Sequence, residues 1–354
     1  MNSPRSFRTT ELAKEFARQG HLVTVITPKD LETHTQFEKD HGITIQDLGQ
    51  PKWKAAELKG GGVSLVARRG IKRLSNLIFQ YPGIELSKLV HNALRREEGY
   101  DLLISIASPH TVHWGVASVR SKDHRIAKVW VADCGDPFMG QENDTFTPPF
   151  YFKYVEKWFC RKADYITVPT TGAIQAYYPE FHQKIKVVPQ GFRFEDIKVA
   201  TEKEDNSRPV FAYAGGFIPG RRDPSELLDY LVKQEKNFIF HIYTSSPNLV
   251  KPFINRSKGR IILHDFVPRT ELLYKLSRMD FVVNFENVGS KQTPSKLIDY
   301  AIIKKPILPV KTGDLNTNVM EEFLKGDYSN QFTVNDPEQY RIENVAKKFL
   351  ALLR

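Results

Sequence analysis

The sequence predicts an α/β protein built from two doubly wound domains, each with short parallel strands covered by helices. Short apolar runs rich in β-forming residues alternate with helical patterns, as expected for parallel sheets. The length of 354 residues suits two domains better than one. A polar stretch at 202–207 interrupts the series, which begins again with the strand-like run at 210–213. We therefore expect an N-terminal domain at 1–195, a C-terminal domain at 207–335, and a C-terminal helix at 336–354 that can pack back on the N-terminal domain.

Each half of the chain supplies its own strands. The first half opens with a helical pattern at 10–20, where Leu12 and Phe16 share an apolar face, followed by a strand at 21–27 that stops at Pro28. The remaining strands are predicted at 43–45, 102–106, 127–131, 165–168 and 186–188 in the first half, and at 210–213, 238–243, 261–263, 281–285 and 307–310 in the second.

The composition is that of a folded globular protein. Hydrophobic residues make up 41% and charged residues 26% of the chain, which is typical neither of a disordered nor of a membrane-spanning protein. No run of about eighteen apolar residues predicts a transmembrane helix. The two cysteines, Cys134 and Cys160, predict neither a disulfide framework nor a metal site, and they favour a reducing, cytoplasmic setting.

The net charge of +10 is concentrated in one region. Between Lys52 and Arg96, ten Lys and Arg residues stand against two Glu residues, a local net charge of +8. Helical patterns cover 63–96 with an interruption at 81–83. Two opposed arcs are present, an apolar one with Val63, Val66, Ala67, Ile71, Leu74, Leu77 and Ile78, and a basic one with Arg68, Arg69, Lys72 and Arg73. With Trp53 as an interfacial aromatic residue, this pattern favours peripheral contact with an anionic membrane, on its inner face. The alternative is an ordinary helix whose apolar arc packs in the core. No recognised nucleic-acid-binding motif accompanies the charge.

Several motifs occur together in an order that is typical of one enzyme family. They are the helix and strand at 12–27, Asp-x-x-Asp-Pro-Phe at 133–138, Val-Val-Pro-Gln-Gly-Phe at 187–192, the segment at 264–272, and Pro-Ser-Lys-Leu-Ile-Asp-Tyr-Ala at 294–301 followed by Lys-Pro-Ile at 305–307. With these motifs the chain resembles family 4 of the glycosyltransferases, retaining enzymes of the GT-B fold. The resemblance covers nearly the whole chain and implies two Rossmann-like domains that face each other across a cleft.

The segment at 294–301 is the sharpest of these matches. A helix that starts after the proline would direct its free amides at a donor diphosphate, which makes Ser295 and Lys296 candidate ligands of a nucleotide sugar. Asp299, about one turn further, can accept hydrogen bonds from both ribose hydroxyls. The family pattern has another acidic residue eight positions earlier, where this chain has Lys291. A capped helix with an exposed aspartate is the alternative.

Glycines and arginines follow the first strand of the second half. Gly215 and Gly216 permit close approach of the backbone to a ligand, and Arg221 and Arg222 can pair with phosphate oxygens. The resemblance implies one basic residue where this chain has Gly216 and a second where it has Arg222, so that Arg221 would compensate for the first. A surface turn with solvated arginines is the alternative.

His110 is the candidate catalytic residue. It follows a strand of the first half, and ligands of doubly wound sheets gather at the carboxyl ends of strands. From there it could hydrogen-bond the transferred sugar or a phosphate, although a lone histidine is more often structural or exposed. Asp133 and Asp136 also follow a strand, where they could contact acceptor hydroxyls or cap the next segment.

The start of the chain departs from the expected pattern. A doubly wound domain opens with a strand and a glycine-rich turn before its first helix, whereas here the helical pattern begins within about ten residues of Met1. The first strand of the N-terminal domain is missing from the pattern. Either the domain lacks a central strand or the natural protein begins upstream. We expect the second, because each buried unpaired backbone group would cost about 1–3 kcal/mol.

These features predict a hexosyltransferase that moves a sugar from a nucleotide-sugar donor to a glycan or lipid-linked acceptor, in surface polysaccharide synthesis. The resemblance implies retention of configuration and no bound metal, and the donor is a co-substrate rather than a cofactor. Two alternatives stay open: a non-catalytic sugar-nucleotide-binding or scaffold subunit, and a sugar-nucleotide epimerase on the same fold. An epimerase would need several histidines and carboxylates together, and His110 alone is well placed.

Overall fold

The computed structural model describes residues 4–54, 62–141, 148–200, 206–265, 267–286 and 295–354. The chain forms two compact units. The first contains Met1–Phe192 and Ile342–Arg354, and the second contains Arg193–Arg341. The C-terminal segment thus belongs to the first unit.

The strands and helices of the two units follow one another in a simple order. The first unit contains α1 (Pro4–Arg18), β1 (Thr24–Thr27), α2 (Leu31–His41), β2 (Thr44–Asp47), α3 (Gly62–Phe79), α4 (Glu85–Leu94), β3 (Tyr100–Ala107), α5 (Thr111–Val119), β4 (Ala127–Cys134), α6 (Phe152–Lys162), β5 (Tyr165–Val168) and β6 (Ile185–Val187). The second unit contains β7 (Val210–Ala214), α7 (Ser225–Lys233), β8 (Ile239–Tyr243), α8 (Lys251–Ile254), β9 (Ile261–His264), α9 (Arg269–Ser277), β10 (Phe281–Phe285), α10 (Ser295–Ile303), β11 (Ile307–Val310) and α11 (Thr317–Leu324). Helix α12 (Ile342–Leu350) completes the first unit.

The strands of the first unit are divided between two parallel sheets. One contains β1 and β2, and the other has the order β3-β4-β5-β6. Among the described residues, no strand pairs with both β1 and β3. Helix α1 covers both sheets instead. Its Leu12 shares a core cluster with Ile104 and Val131 of the four-stranded sheet, and its Ala13 shares another with Val25 and Ile45 of the two-stranded sheet.

Helix α1 begins at Pro4, six residues before the predicted start at residue 10. Proline is well tolerated in the first turn of a helix. The extra turns bring Arg8 onto the end of β4, where its guanidinium binds both carboxylate oxygens of Asp133 at 2.5 and 2.7 Å. Arg8 also donates to the carbonyls of Val188 and Pro189. Although the start of α1 is polar in sequence, it therefore supplies a buried ion pair that connects α1 to β4.

The second unit has a single continuous sheet of five parallel strands in the order β11-β10-β7-β8-β9. All five residues of β10, an interior strand beside the central strand β7, are buried. Phe211 stacks between Phe240 and Phe281 of the neighbouring strands, with ring centroids 4.6 and 4.4 Å away. Aromatic layers of this kind fix the register of the sheet that carries the candidate site.

Candidate functional site

The strand order of the second unit contains a topological switch point. From β7 the chain moves outward through β8 and β9, then returns to place β10 and β11 on the other side of β7. In open parallel sheets, ligands bind at the carboxyl ends of the strands where this reversal occurs. The loop at 215–222 follows β7 and helix α10 follows β10. Both predicted ligand-binding segments therefore flank the switch point.

Tyr213 shapes the loop after β7. Its hydroxyl donates to the carbonyl of Gly216 at 3.0 Å, and its ring stacks on Phe217 with centroids 4.6 Å apart. Gly215 has φ of +149°, and a Cβ there would lie 3.0 Å from the Tyr213 hydroxyl. A glycine is therefore needed at position 215, both for its backbone conformation and for its close approach to Tyr213. Sequence reasoning identified the glycines but not the tyrosine.

Arg221 and Arg222 lie in a tight turn. The turn is closed by a bridge between Ile218 and Arg222, whose amide donates to the Ile218 carbonyl at 2.9 Å. Arg221 is exposed, whereas Arg222 is half-buried. Burial raises the pKa of Tyr213 to about 12 while the charge of Arg222 opposes that rise, and the same charge adds to the effect of burial on Lys296. Arg222 thus belongs to the group at the switch point, and its role as a phosphate ligand stays a prediction.

Lys296 extends from the first turn of α10 over the face of Tyr213. Its Nζ lies 4.4 Å from the ring centroid and 3.4 Å from the hydroxyl oxygen. Burial, together with the charge of Arg222, lowers the pKa of Lys296 to about 7. Two cationic side chains held together in a half-buried place repel each other. An anionic ligand would relieve that repulsion, so this arrangement suits a phosphate group.

Asp299 is held by an arginine that sequence reasoning did not identify. Its Oδ1 accepts a hydrogen bond from Arg269 Nε at 3.1 Å and another from Nη2 of the same guanidinium. Burial raises the pKa of Asp299, and Arg269 opposes that effect. The two residues are thirty positions apart and meet because α9 and α10 pack together. Asp299 is thus an oriented, half-buried carboxylate rather than an exposed one.

An aromatic pair lies at the carboxyl ends of the next two strands. The ring of Tyr243 stacks on that of His264, with centroids 4.4 Å apart and 12° between the planes. His264 Nε2 is 2.8 Å from Nδ1 of His241. Burial, then the nearby His264, lowers the pKa of His241 to about 4, so His241 is neutral near pH 7. Burial also lowers the pKa of His264. His264 opens the motif recognised in the sequence at 264–272, whereas Tyr243 lies outside every such motif.

Part of the predicted site lies outside the described residues. Ser295 is the first residue of α10, as the proline before it had indicated, but its side chain is outside them. Lys291 is outside them as well.

His110 lies in the core of the first unit. It is 6% exposed, its Nε2 is 3.0 Å from the carbonyl oxygen of Asp136, and its ring packs 5.2 Å from that of Phe138. Burial lowers its pKa to about 4, so the ring is neutral near pH 7 and Nε2 donates to the carbonyl. A catalytic role for His110 stays a prediction.

His110 is one of three buried soft donors. His113 Nδ1 is 2.8 Å from Ser105 Oγ, and its Nε2 is 3.4 Å from Cys134 Sγ. One nitrogen of each histidine and the sulfur lie within 4.8 Å of one another. Within the described ranges this group could hold a soft metal ion, although the sequence predicted no metal site. Burial raises the pKa of the Cys134 thiol, so the group is a neutral, hydrogen-bonded cluster.

Asp133 has a structural contact in place of the predicted acceptor contact or cap. It is 2% exposed and accepts hydrogen bonds from Arg8 and from Thr167 Oγ1, the latter at 2.7 Å. It therefore joins α1 to β4. Asp136 is exposed and lies 3.5 Å from Arg5.

Two α/β units with parallel sheets, one of them with a cationic group at its switch point, define the class of the protein: it has the fold of the GT-B glycosyltransferases. The chain belongs to Glycosyltransferase Family 4, whose model matches residues 7–195. The predictions of family and of fold class are thereby confirmed. No curated protein matches the chain.

Solved structures with this fold extend over the whole chain. A glycosyltransferase from Rickettsia africae is 11% identical, with 100% of this chain and 95% of that one covered and a TM-score of 0.63. HepE of Anabaena, solved in complex with UDP and glucose, is 11% identical, with 100% and 97% covered and a TM-score of 0.62. A UDP-GlcNAc 2-epimerase from Neisseria meningitidis, bound to UDP-GlcNAc, is 14% identical, with 99% and 96% covered and a TM-score of 0.57. At these identities the likeness concerns the fold.

Proposed function

We propose that this glycosyltransferase-family protein transfers a hexose, with retention, from a nucleotide-sugar donor to a glycan or lipid-linked acceptor in surface polysaccharide synthesis. The observation that carries the proposal is the group formed by Tyr213, Arg222 and Lys296 at the switch point of the second unit. No metal or cofactor is needed in this reading, because protein cations neutralise the diphosphate.

The donor diphosphate would bind between Arg222 and Lys296. Both charges would form charge-assisted hydrogen bonds with phosphate oxygens, and the amino end of α10 would add its dipole. As the bond between sugar and diphosphate breaks, negative charge grows on the departing diphosphate. Groups already in place stabilise that charge without reorganisation. Arg222, Lys296 and the amino end of α10 would therefore assist the departure of the nucleotide diphosphate.

The nucleoside would extend from the diphosphate along the edge of the same sheet. Asp299 would accept hydrogen bonds from the ribose through Oδ2, since both bonds from Arg269 end on Oδ1. The stacked rings of Tyr243 and His264 offer an aromatic surface for the base. The bound UDP of HepE supports a uridine nucleotide as the first donor to examine.

The acceptor side is assigned to the first unit. His110 remains the candidate for contact with the transferred sugar, which would require its ring to reach the ligand from the core position at α5. The basic region around α3 supports an acceptor carried on a lipid and a peripheral location at an anionic membrane. The polypeptide would act there from the cytoplasmic side.

A screen of nucleotide sugars for thermal stabilisation, followed by transfer of radiolabel to membrane extracts, tests the proposal. Ligands that bind the folded state raise its apparent stability with the logarithm of the ratio of ligand concentration to Kd. Transfer of label to acceptor is the expected result. Binding without transfer would favour the sugar-nucleotide-binding subunit instead, and interconversion of the donor's sugar would favour the epimerase.

Two substitutions locate the donor. Arg222→Ala should weaken binding of the stabilising nucleotide by about 1.5–3 kcal/mol, because a charged hydrogen bond is lost. Asp299→Ala should weaken binding of the free nucleoside as well, whereas Arg222→Ala should leave it unchanged. Arg256→Ala is the control, since Arg256 lies in the same unit and pairs with Asp229 at the surface. Wild-type affinity in both test variants, measured by calorimetry, would show that the nucleotide does not bind at the switch point.

A further inference from the structure

Helix α3 leaves apolar residues in contact with solvent. Ile71 and Leu74 are 62% and 55% exposed, and Val66 and Phe79 are exposed as well. The alternative in which these residues pack in the core is therefore wrong. No helix in the described part of the chain is long and apolar enough to cross a bilayer. An apolar stripe on an exposed helix of 18 residues instead suits burial at an interface.

The other side of α3 carries a basic pocket. Four of its residues, Arg69, Lys72, Arg73 and Asn76, are related in pairs by spacings of three and four, and therefore lie on one stripe along the helix. The pocket has a volume of about 430 Å³ and is lined by Arg69, Lys72, Arg73, Asn76, Tyr81 and Pro82. Three cations around one concavity create a positive potential, and guanidinium groups bind phosphate oxygens in pairs.

One wall of the pocket is fixed by the segment that precedes α3. Tyr81 stacks on Trp53, with centroids 5.7 Å apart, and its hydroxyl donates to the carbonyl of Lys54 at 3.1 Å. The amides of Lys52 and Trp53 donate to the buried carboxylate of Glu85 at 3.1 and 2.7 Å. The pocket is therefore built on anchored backbone and is flanked by two more lysines and an exposed tryptophan.

We propose that this pocket binds the phosphate group of an anionic phospholipid while the apolar stripe of α3 lies in the same bilayer. The proposal rests on the proposed function in one respect: membrane attachment would present the enzyme to a lipid-linked acceptor. Charge complementarity identifies the partner, because three cations and an amide meet a phosphodiester that bears a negative charge. The exposed stripe selects a lipid over a soluble phosphate, since a soluble ligand would leave Ile71 and Leu74 in water.

The dimensions of a helix allow both contacts at once. An α-helix with its side chains is about 10 Å across, and interfacial helices bury their apolar face about 5–10 Å into the boundary between headgroups and acyl chains. With Ile71 and Leu74 turned toward the acyl chains, the opposite stripe lies at the depth of the phosphate groups. Long basic side chains reach them while their methylene groups cover apolar surface.

Sedimentation with vesicles tests this proposal. The full chain should bind vesicles of phosphatidylcholine with phosphatidylglycerol, should bind pure phosphatidylcholine vesicles far less, and should dissociate as salt is added. The triple variant Arg69→Gln/Lys72→Gln/Arg73→Gln should partition roughly a hundredfold more weakly, as expected for three charges near an anionic surface. Lys88→Gln/Arg95→Gln/Arg96→Gln is the matched control, because it removes three exposed charges of the same unit outside the pocket. Equal losses of vesicle binding in the two triple variants would overturn the proposal that the pocket is the lipid-binding site.

Two further variants separate a pocket from a diffuse basic patch. Asn76→Ala leaves the net charge unchanged and should still weaken binding severalfold, whereas a diffuse patch predicts no change. Ile71→Ser/Leu74→Ser should abolish attachment while all cations remain. Inorganic phosphate at the concentration of the lipid headgroups should not release the protein, and complete release would overturn the lipid as the ligand.

Failure of this proposal and failure of the proposed function give different results. Calorimetry with UDP reports on the second unit alone, so the pocket variants should retain wild-type nucleotide affinity. A wild-type chain that binds vesicles but no nucleotide would overturn the donor site and leave the lipid site standing. A chain that binds nucleotide but no anionic vesicles would overturn the lipid site alone.

Discussion

The two units hold their parallel strands together in different ways. In the described part of the second unit, five strands form one sheet, and its interior strand β10 is wholly buried and pairs with a strand on each side. In the first unit, six strands are divided between two sheets, and every residue of β1 is partly exposed. Helix α1 spans the division and is fixed there by the buried pair of Arg8 and Asp133. Backbone pairing holds the second sheet together, whereas side chains of one helix connect the sheets of the first.

The two units also differ in the surroundings of a buried cationic side chain. Arg8 is matched by a carboxylate and two carbonyls, so its charge stabilises the fold. Lys296 lies over an aromatic ring beside another cation, so its charge is a cost to the free protein. A buried cation with a carboxylate partner stabilises the fold, whereas a buried cation beside another cation indicates a site for an anionic ligand.

Replacing Arg8 by methionine should give the largest effect. The change leaves Asp133 buried without its ion-pair partner, and breaking such a pair costs about 3–5 kcal/mol. All four tryptophans, Trp53, Trp114, Trp130 and Trp158, belong to the first unit, so their fluorescence in a urea titration reports on that unit. Lys128→Met, in the same unit, removes an ion pair with Asp101 that is exposed on both sides and should leave the midpoint nearly unchanged. Equal midpoints for the two variants would show that the Arg8 pair does not secure α1.

The same substitution at Lys296 should act in the opposite way. Lys296→Met should weaken nucleotide binding by about 1.5–3 kcal/mol without lowering the thermal stability of the ligand-free protein, because a buried charge with a lowered pKa is removed. Differential scanning calorimetry with and without UDP measures both quantities. A destabilised free protein with unchanged affinity would mean that Lys296 supports the fold and that the contrast with Arg8 is mistaken.

The pH dependence of binding follows from the same lysine. Its pKa is about 7 in the free protein, and a bound diphosphate would raise it, so binding takes up a proton above pH 7. Affinity for a UDP-sugar should be constant below about pH 7 and fall above it, approaching tenfold per pH unit, or about 1.4 kcal/mol. Lys296→Arg keeps its charge throughout this range and should bind with no such slope. An identical slope in that variant would assign the proton to another group.

The smallest expected effect is a gain. A Cβ at Gly216 would meet only ordinary contact, 3.9 Å from Ser246 Oγ, so a side chain fits where the family resemblance implies a basic residue. Gly216→Arg should strengthen nucleotide binding by about 1 kcal/mol, less than a full charged hydrogen bond because a flexible side chain must be ordered. Gly216→Gln is the uncharged control. Weaker binding in the arginine variant would show that the diphosphate does not approach this loop.

Local patterns predicted much of the fold. Every strand of the second unit was expected, since each is a short apolar run with a clear end, and helix α10 begins at Ser295 as the preceding proline indicated. Arg222 and Lys296 could be predicted as ligands because one follows a strand and the other begins a helix, and that role stays a prediction. The start of α1 was placed six residues late, because Arg8 is polar in sequence and buried only through a partner 125 positions away.

Long-range pairing limited the rest of the site. Nothing near Asp299 in sequence indicated Arg269, and nothing near His110 indicated that its ring would lie among aromatic residues of the core. Tyr213 was read as part of a strand, yet its position under Lys296 depends on the pairing of β7 with β10. Such contacts depend on topology, which short patterns do not specify.

The return of α12 to the first unit has a consequence for synthesis on the ribosome. The core around Leu12 is completed by Ile342, Val345 and Phe349, which are translated after the whole of the second unit. The continuous segment Arg193–Arg341 can therefore reach its final fold while Leu12 still lacks its covering helix. Domains usually fold in the order in which they emerge, but here the unit made first is the last to close.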